Sequence, residues 1–231
     1  VDVPEPVPDP DESSVDLRAL VEAHQVWLRT TGAEGTRLDL SGRRLGGVAL
    51  AGLDLSEAIL VDTDLTGANL RGTDLVRAVL VRADLTEADL SGAHLAKADL
   101  SGVRARRARL RRADLLRADL TGADLTDADL SRTQLVRTDL TDADLRGADL
   151  TEADLHLVFV GGSTWGRTTA TDARGTLAAP EAEVSLDESG RSTTRTVAAL
   201  VQVLAASGAR LVTHPTGGAL PEAPTWRWRA G

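Results

Sequence analysis

Every fifth residue from Leu40 to Leu155 is leucine except Ala105, so 23 of 24 positions carry the same side chain. A helix would scatter these leucines around its whole circumference. A flat strand would throw alternate ones to opposite faces. Each five-residue unit must therefore be its own short side, followed by a bend. Two residues before each Leu, 15 of 24 positions are Ala, as in Ala58, Ala83 and Ala128, and the others are mostly Thr, Val or Leu. One residue before, 15 of 24 are Asp. The Leu and the residue two before it point the same way and form an interior pair. The Asp between them points out, as do the two residues after Leu. Leu beside small Ala fills a narrow tube, which explains how a chain of 231 residues manages with four Trp, one Phe and no Tyr.

The unit A-D-L-x-x resembles the repeat of the pentapeptide repeat family, A-(D/N)-L-x-x, matched in Ala83–Glu87 and Ala123–Asp127. The resemblance covers about residues 36–160. It implies an all-β solenoid, a right-handed quadrilateral parallel β-helix with one pentad per side and four pentads per coil. The sequence supports four sides, because Arg77, Lys97, Arg117 and Arg137 are evenly spaced at one coil's length and would stack as one column. Twenty-four pentads then make about six coils, a rod of roughly 29 Å at ~4.8 Å per coil.

A solenoid needs its ends covered. Residues 1–12 are acidic and Pro-rich and read as disordered. An N-terminal capping element follows over 13–35: Ser13-Ser14-Val15-Asp16 reads as a capping box, and Leu17, Leu20, Val21, His24 and Leu28 have helical spacing. A helix is expected over about 14–30, stopped by Gly32, with His24 a packed cap residue and not a ligand. His24, Trp27-Leu28, Gly32 and Gly35 resemble an N-terminal element of some family members. Arg43 at an inward position marks the first coil as imperfect. Residues 161–231 read as a small α/β appendage: loop over 161–180, Trp165 plugging the far end, a helix over about 193–206, a strand near Ala209–Thr213, and a terminal strand showing Trp226 and Trp228 on one side. This tail is too poor in apolar residues to hold a core alone. One outward column, Val76, Leu116 and Val136 with Ala96 between, adjoins Ile59, Val61, Val79 and Val81 on the next side. Such an apolar column marks a contact surface. Either residues 193–231 fold back on it or a second copy covers it.

The net charge is -9, split as -6 for residues 1–35, -4 for 36–160 and +1 for 161–231. Arg104, Arg106, Arg107, Arg109, Arg111 and Arg112 form a basic belt at the one lost Leu. In a coil of four pentads Arg104 stacks between Asp84 and Asp124, Arg107 between Glu87 and Asp127, and Arg109 between Asp89 and Asp129. These three are expected to make inter-coil ion pairs that interrupt like-charge ladders. Arg106, Arg111 and Arg112 remain freer to meet an anion. Residues 114–154 carry 11 acids and 4 bases, led by Asp114, Asp119, Asp124, Asp129, Asp139, Asp144, Asp149 and Asp154.

The family resemblance extends to a branch of dimeric quinolone-resistance rods that imitate DNA and bind DNA gyrase. DNA carries about one charge per 1.7 Å, so a rod of roughly 29 Å needs about -17. The whole rod fails that test at -4, but residues 114–154 reach -7 where about 10 Å of DNA carries roughly -6. The simpler account is that the pentad wants a polar residue there and Asp suits the bends.

Zero Cys excludes a disulfide scaffold, a thiolate metal site and a cysteine nucleophile. His24, His94, His156 and His214 show no metal-ligand spacing. There is no Gly-rich phosphate loop and no G-x-S-x-G, and the outward carboxylates are solvated. The region of His156 and Trp165 is the one place for a small site. No catalytic, cofactor or metal residue is assigned, and the expected protein is not an enzyme. No apolar run reaches the length of a membrane span. The lack of an export-type start makes the cytoplasm the default, and the lack of Met implies that a natural start was trimmed. An acidic chain with pI near 5.0 is a poor nucleic-acid binder. The reading is a non-enzymatic protein–protein interaction or scaffold module with a partner of unknown identity, possible as a homodimer through its C-terminal segment. The alternative is a DNA mimic that binds gyrase and confers resistance to a gyrase poison.

Overall fold

The computed structural model describes residues 16–178, 182–188 and 191–213, in two compact units, Val1–Leu38 and Asp39–Gly231. The first unit holds helix α1, Leu17–Arg29. The Asp16 side chain accepts from Ala19 N–H at 3.2 Å and caps it. The proposed box partners Ser13 to Val15 and the acidic tail lie outside the described residues. At the far end Gly32 takes φ +87° and donates to the Trp27 carbonyl. A Cβ on Gly35 would run into the Ala23 carbonyl, so the chain passes close against α1 there. His24 is fully buried. Its Nδ1 accepts from Leu38 N–H at 3.1 Å, and its ring stacks on Trp27 at 5.7 Å. It packs the helix to the segment that follows.

In the second unit each side pairs with the equivalent side of the next coil. Four parallel ladders run together: Asp39–Ile59–Val79–Asp99–Asp119–Asp139–Phe159, Arg44–Asp64–Asp84–Arg104–Asp124–Asp144–Thr164, the ladder from Ala49 to Thr169, and the ladder from Asp54 to Asp154. Each inward Leu donates its N–H to a carbonyl of the next coil, as Leu60 to Val79 and Leu80 to Asp99, both 2.7 Å. The leucines from Leu55 to Leu155 are at most 2% exposed, with Ala58, Ala78, Ala118 and Ala148 at 0% beside them. Where Thr replaces Ala its hydroxyl finds a backbone carbonyl: Thr63 bonds Leu40 O and Thr73 bonds Leu50 O, both at 2.9 Å. Buried hydroxyls are tolerable only when so satisfied. The first turn is looser. Leu45, Val48 and Leu53 are half-buried, and Arg43, expected inward, is exposed. A guanidinium cannot enter a dry tube without a partner charge.

The bends have one geometry. The second residue after each Leu is left-handed: Glu57, Arg77, Lys97, Arg107 and Asp127 have φ between 53° and 62°. That conformation costs a non-glycine residue about 1–2 kcal/mol, and it recurs because the corner N–H thereby reaches the next rung, as Arg107 N–H does Thr126 O at 3.0 Å.

The pairing does not stop at residue 160, as the sequence suggests. Thr164 and Thr169 extend two of the ladders, so the parallel pairing carries on past 160 where loop was expected. Trp165 stands in a leucine slot, 1% exposed, with Nε1 donating to Ser163 Oγ at 2.7 Å. The register was hidden because Val160, Trp165 and Ala170 replace Leu. Strand β1, Asp154–Val158, pairs with β3, Arg174–Leu177, and β3 with β6, Arg210–Thr213, all parallel. Strand β2, Thr164–Trp165, pairs parallel with β4, Glu183–Glu188, which pairs antiparallel with β5, Arg191–Thr196. Helix α2 is Val197–Ala206 and not 193–206. The β-branched run Thr193-Thr194 favours strand, and Thr196 is the N-cap. Val197, Leu200 and Leu204 are its buried face.

At the missing leucine, Ala105 is 2% exposed and its neighbour Val103 is 1% exposed. Val in an Ala slot refills part of the space that Ala leaves in a Leu slot. The double variant V103A/A105L restores the standard pair with a net gain of one carbon, so it should stabilise by about 0.8 kcal/mol. A105L alone overfills the layer and should cost about 1–3 kcal/mol. Denaturant melts of the two variants check the opposite signs.

Candidate interaction surfaces

The outward carboxylates are fastened to the bends. Asp114, Asp119, Asp124, Asp129, Asp139, Asp144, Asp149 and Asp154 each accept with Oδ1 from the N–H two residues on, at 2.9–3.2 Å. These are Asx turns, in which the side chain stands in for a backbone acceptor. The structure does not gather the eight on one face. Asp119 stacks between Asp99 and Asp139, Asp124 on Asp144, Asp129 on Asp149, and Gln134 separates Asp114 from Asp154. The acids are therefore shared among all four ladders.

Arg104, Arg107 and Arg109 meet the preceding coil, at 3.1 Å from Asp84, 2.8 Å from Glu87 and 3.8 Å from Asp89. Among the described residues none of the three has an ion pair with Asp124, Asp127 or Asp129 of the following coil. Arg106, expected to be freer, lies 3.5 Å from Asp124. Pairs this exposed contribute at most about 1 kcal/mol each. Arg146 is held harder, forking onto Asp144 and reaching Asp187 at 3.4 Å. Burial pushes the Asp144 carboxyl up, but bonds from the Arg146 side chain and its backbone N–H outweigh that and hold it below the usual range. In Asp84 and Asp89 burial is likewise outweighed by bonds from Thr86 and Arg104, and from Ser91 and Arg71.

The apolar column is less open than its sequence suggests. Ile59, Val61, Val76, Val79, Val81, Leu116 and Val136 are all half-buried. Of the segment expected to cover it, 193–231, the described part pairs through β6 with β3 and through β5 with β4; residues 214–231 lie outside the described residues. Among the described residues the large hydrophobics that stand open are Val203 and Val212, 44% and 57% exposed. The expected strand with Trp226 and Trp228, and His214, lie outside the described residues.

His156 and Trp165 do not form a joint site. His156 is exposed with Nδ1 3.3 Å from Thr176 Oγ1, while Trp165 is buried. Among the described residues no group of three His, Asp or Glu is placed to hold a metal, and no helix is long and apolar enough to cross a membrane.

Sequence reasoning missed a cleft of about 430 Å³ lined by Arg106, Asp127, Arg146, Arg167 and Asp187. Two glycines permit close packing beside it. A Cβ on Gly147 would run into the Asp127 carboxylate, and one on Gly166 into the Asp187 carbonyl. The sequence signal was present: Gly147 and Gly166 fall on a corner and face where other coils carry Arg107 and Arg106.

Residues 36–72, 63–102, 88–127 and 118–156 match the family described as pentapeptide repeats, in eight copies, over more than half of the chain. The chain belongs to the pentapeptide repeat family. Members fold as right-handed quadrilateral β-helices. The chain is similar to HetL, a pentapeptide repeat protein involved in heterocyst differentiation regulation from the cyanobacterium Nostoc, with 27% identity and a TM-score of 0.37 over 71% of this chain and 89% of that one. It is similar to full-length QnrB1, a plasmid-mediated fluoroquinolone resistance protein, with 18% identity and a TM-score of 0.28 over 73% and 96%. A third similar protein, Rfr23 of the cyanobacterium Cyanothece, shows 26% identity and a TM-score of 0.25 over 55% and 90%. No curated protein matches the chain.

The Asx turns make a clean prediction. Asp149→Ala removes a bend acceptor and should cost about 1 kcal/mol, whereas Asp149→Asn keeps the acceptor and should cost far less; chemical melts of the pair check this. The pH response follows from Asp84, Asp89 and Asp144, whose folded-state values are lowered. Their contribution is complete above the unfolded value near ~3.9 and is lost as pH falls through the lower folded values. Melting temperature should therefore hold from neutral to about pH 5 and fall below about pH 4, which a series of thermal melts will read directly.

Proposed function

We propose that this chain is a non-enzymatic protein-interaction module: a rigid right-handed rod, with about six coils over 36–160, whose outer faces meet a protein partner. The observation that carries this reading is the closed interior. Leu and Ala fill the inward positions at 0–2% exposure from Leu55 to Leu155. Among the described residues of this stretch the charged side chains are thus on the outside, where carboxylates are held by bends and several arginines by neighbouring coils. Such side chains are pre-oriented, which lowers the ordering cost of binding. A photo-crosslinking residue at Arg111, exposed in the turn that follows Arg109 of the ladder from Ala49, should yield a discrete adduct in the source cells, competed by excess unlabelled protein. Absence of any competable adduct would sink the reading.

DNA imitation toward gyrase is a second reading. The uninterrupted stack Asp99, Asp119 and Asp139 favours it, since no arginine divides that ladder. On this reading a dimer joined through C-terminal segments presents two acidic halves, in the cytoplasm. Purified protein should then inhibit gyrase supercoiling or protect it from a fluoroquinolone, and light scattering should give a dimer mass. Asp124→Asn with Asp144→Asn keeps the bends while removing two charges, and should weaken the effect. Unchanged supercoiling at tens of micromolar would retire this reading.

A further inference from the structure

The cleft has charges in a fixed order. Ladder steps carry the chain from Arg106 to Asp127, then Arg146, Arg167 and Asp187, each on a successive rung of one side and its corner. Arg146 is spent on Asp144 and Asp187. Arg106 makes only a long contact with Asp124 at 3.5 Å, and half of its side chain is exposed. Arg167 has no ion pair among the described residues, is exposed, and points its left-handed corner, φ 52°, beside the hollow. Arg167, and Arg106 with its one long contact, thus stand three rungs apart, about 14 Å, with the Asp127 carboxylate and the engaged Arg146 between them.

That spacing is too wide for one oxyanion to meet both arginines. It matches an extended peptide, in which residues four apart lie on one face about 13 Å apart. Guanidinium forks suit carboxylates in bidentate geometry, and Asp127 suits a basic residue between them. A volume of about 430 Å³ lies in the range of ligand pockets and admits part of such a stretch. We infer that this cleft is the partner-binding groove of the rod, taking an extended acidic segment of the pattern acid–x–basic–x–acid. The inference rests on the interaction-module reading and names the partner's chemistry. Gly166 is part of the lining, and the bare backbone at Gly147 leaves room for the Asp127 carboxylate.

The test uses the full chain and a fluorescein-labelled peptide, Gly-Glu-Gly-Lys-Gly-Glu-Gly, read by anisotropy. Saturable, salt-sensitive binding is expected, weakened about tenfold or more by Arg167→Glu and by Arg106→Glu. Glu already occupies left-handed corners at Glu57 and Glu87, so the first variant should fold, and matched thermal melts will confirm it for both. Lys97→Glu, exposed at a different corner, should leave binding unchanged. A charge-swapped peptide, Gly-Lys-Gly-Glu-Gly-Lys-Gly, should not bind. The proposal is overturned by no saturable binding up to about 1 mM, by equal binding of the swapped peptide, or by full binding to the Arg167→Glu protein. Displacement by sodium tripolyphosphate at concentrations below those of the peptide would overturn it in favour of a phosphate site. If the peptide fails while the crosslink at Arg111 still finds a partner, this groove is wrong and the interaction module stands. A bound peptide with no crosslinked partner leaves a peptide-binding cleft but removes its role toward a partner, and overturns the inference together with the broader reading.

Discussion

The rung-to-rung hydrogen bond is what everything else in the second unit leans on. Each inward Leu N–H reaches a carbonyl of the next coil, and the corner N–H that follows it reaches the next available one, at 2.6–3.1 Å throughout. Once those bonds exist, backbone polar groups are satisfied without long strands. The interior then needs only a large and a small apolar group per side. The left-handed corners are the cost of this arrangement, and they explain why so many charged residues adopt a conformation that usually belongs to glycine.

Much of this was legible in the leucine spacing, because a period of five admits so few backbones. The inward pair, the outward Asp and the four-pentad step are all recovered in the ladders. What escaped notice lies where the pattern loses its marker residue. Trp165 fills a leucine slot and Ala170 an emptier one, so the parallel pairing beyond 160 looks like loop to a reader counting leucines. The Thr193–Thr196 segment looks helical because it runs into an apolar stretch, yet β-branching and the cap at Thr196 turn it into strand. Arg43 follows the register but not the rule, since a charge cannot be kept in a dry tube.

The surface was harder to read than the core. Sequence order locates each charge but not which oxygen of a carboxylate is already committed. The eight outward Asp residues looked like an acidic field; in the structure every one has an oxygen tied to its own bend and the set wraps four sides. Arg106 looked available and has a partner, Asp124, in the next coil, while Arg146, unremarkable in sequence, is the best-held arginine of the surface. The close approach of Asp127 to Gly147 and of Asp187 to Gly166 carries meaning only once corners and faces are assigned.

The four-ladder pairing also sets how this chain can change length. A whole coil added or removed leaves each later residue on its original face and alters only the reach of the rod. A single pentad added or removed keeps all leucines inside, so the fold survives, but it carries every downstream residue round to the adjacent side. Were that to happen between Asp127 and Arg146, the arginines now sharing one groove would look out in different directions. Sequence length in this solenoid therefore encodes bearing as well as distance.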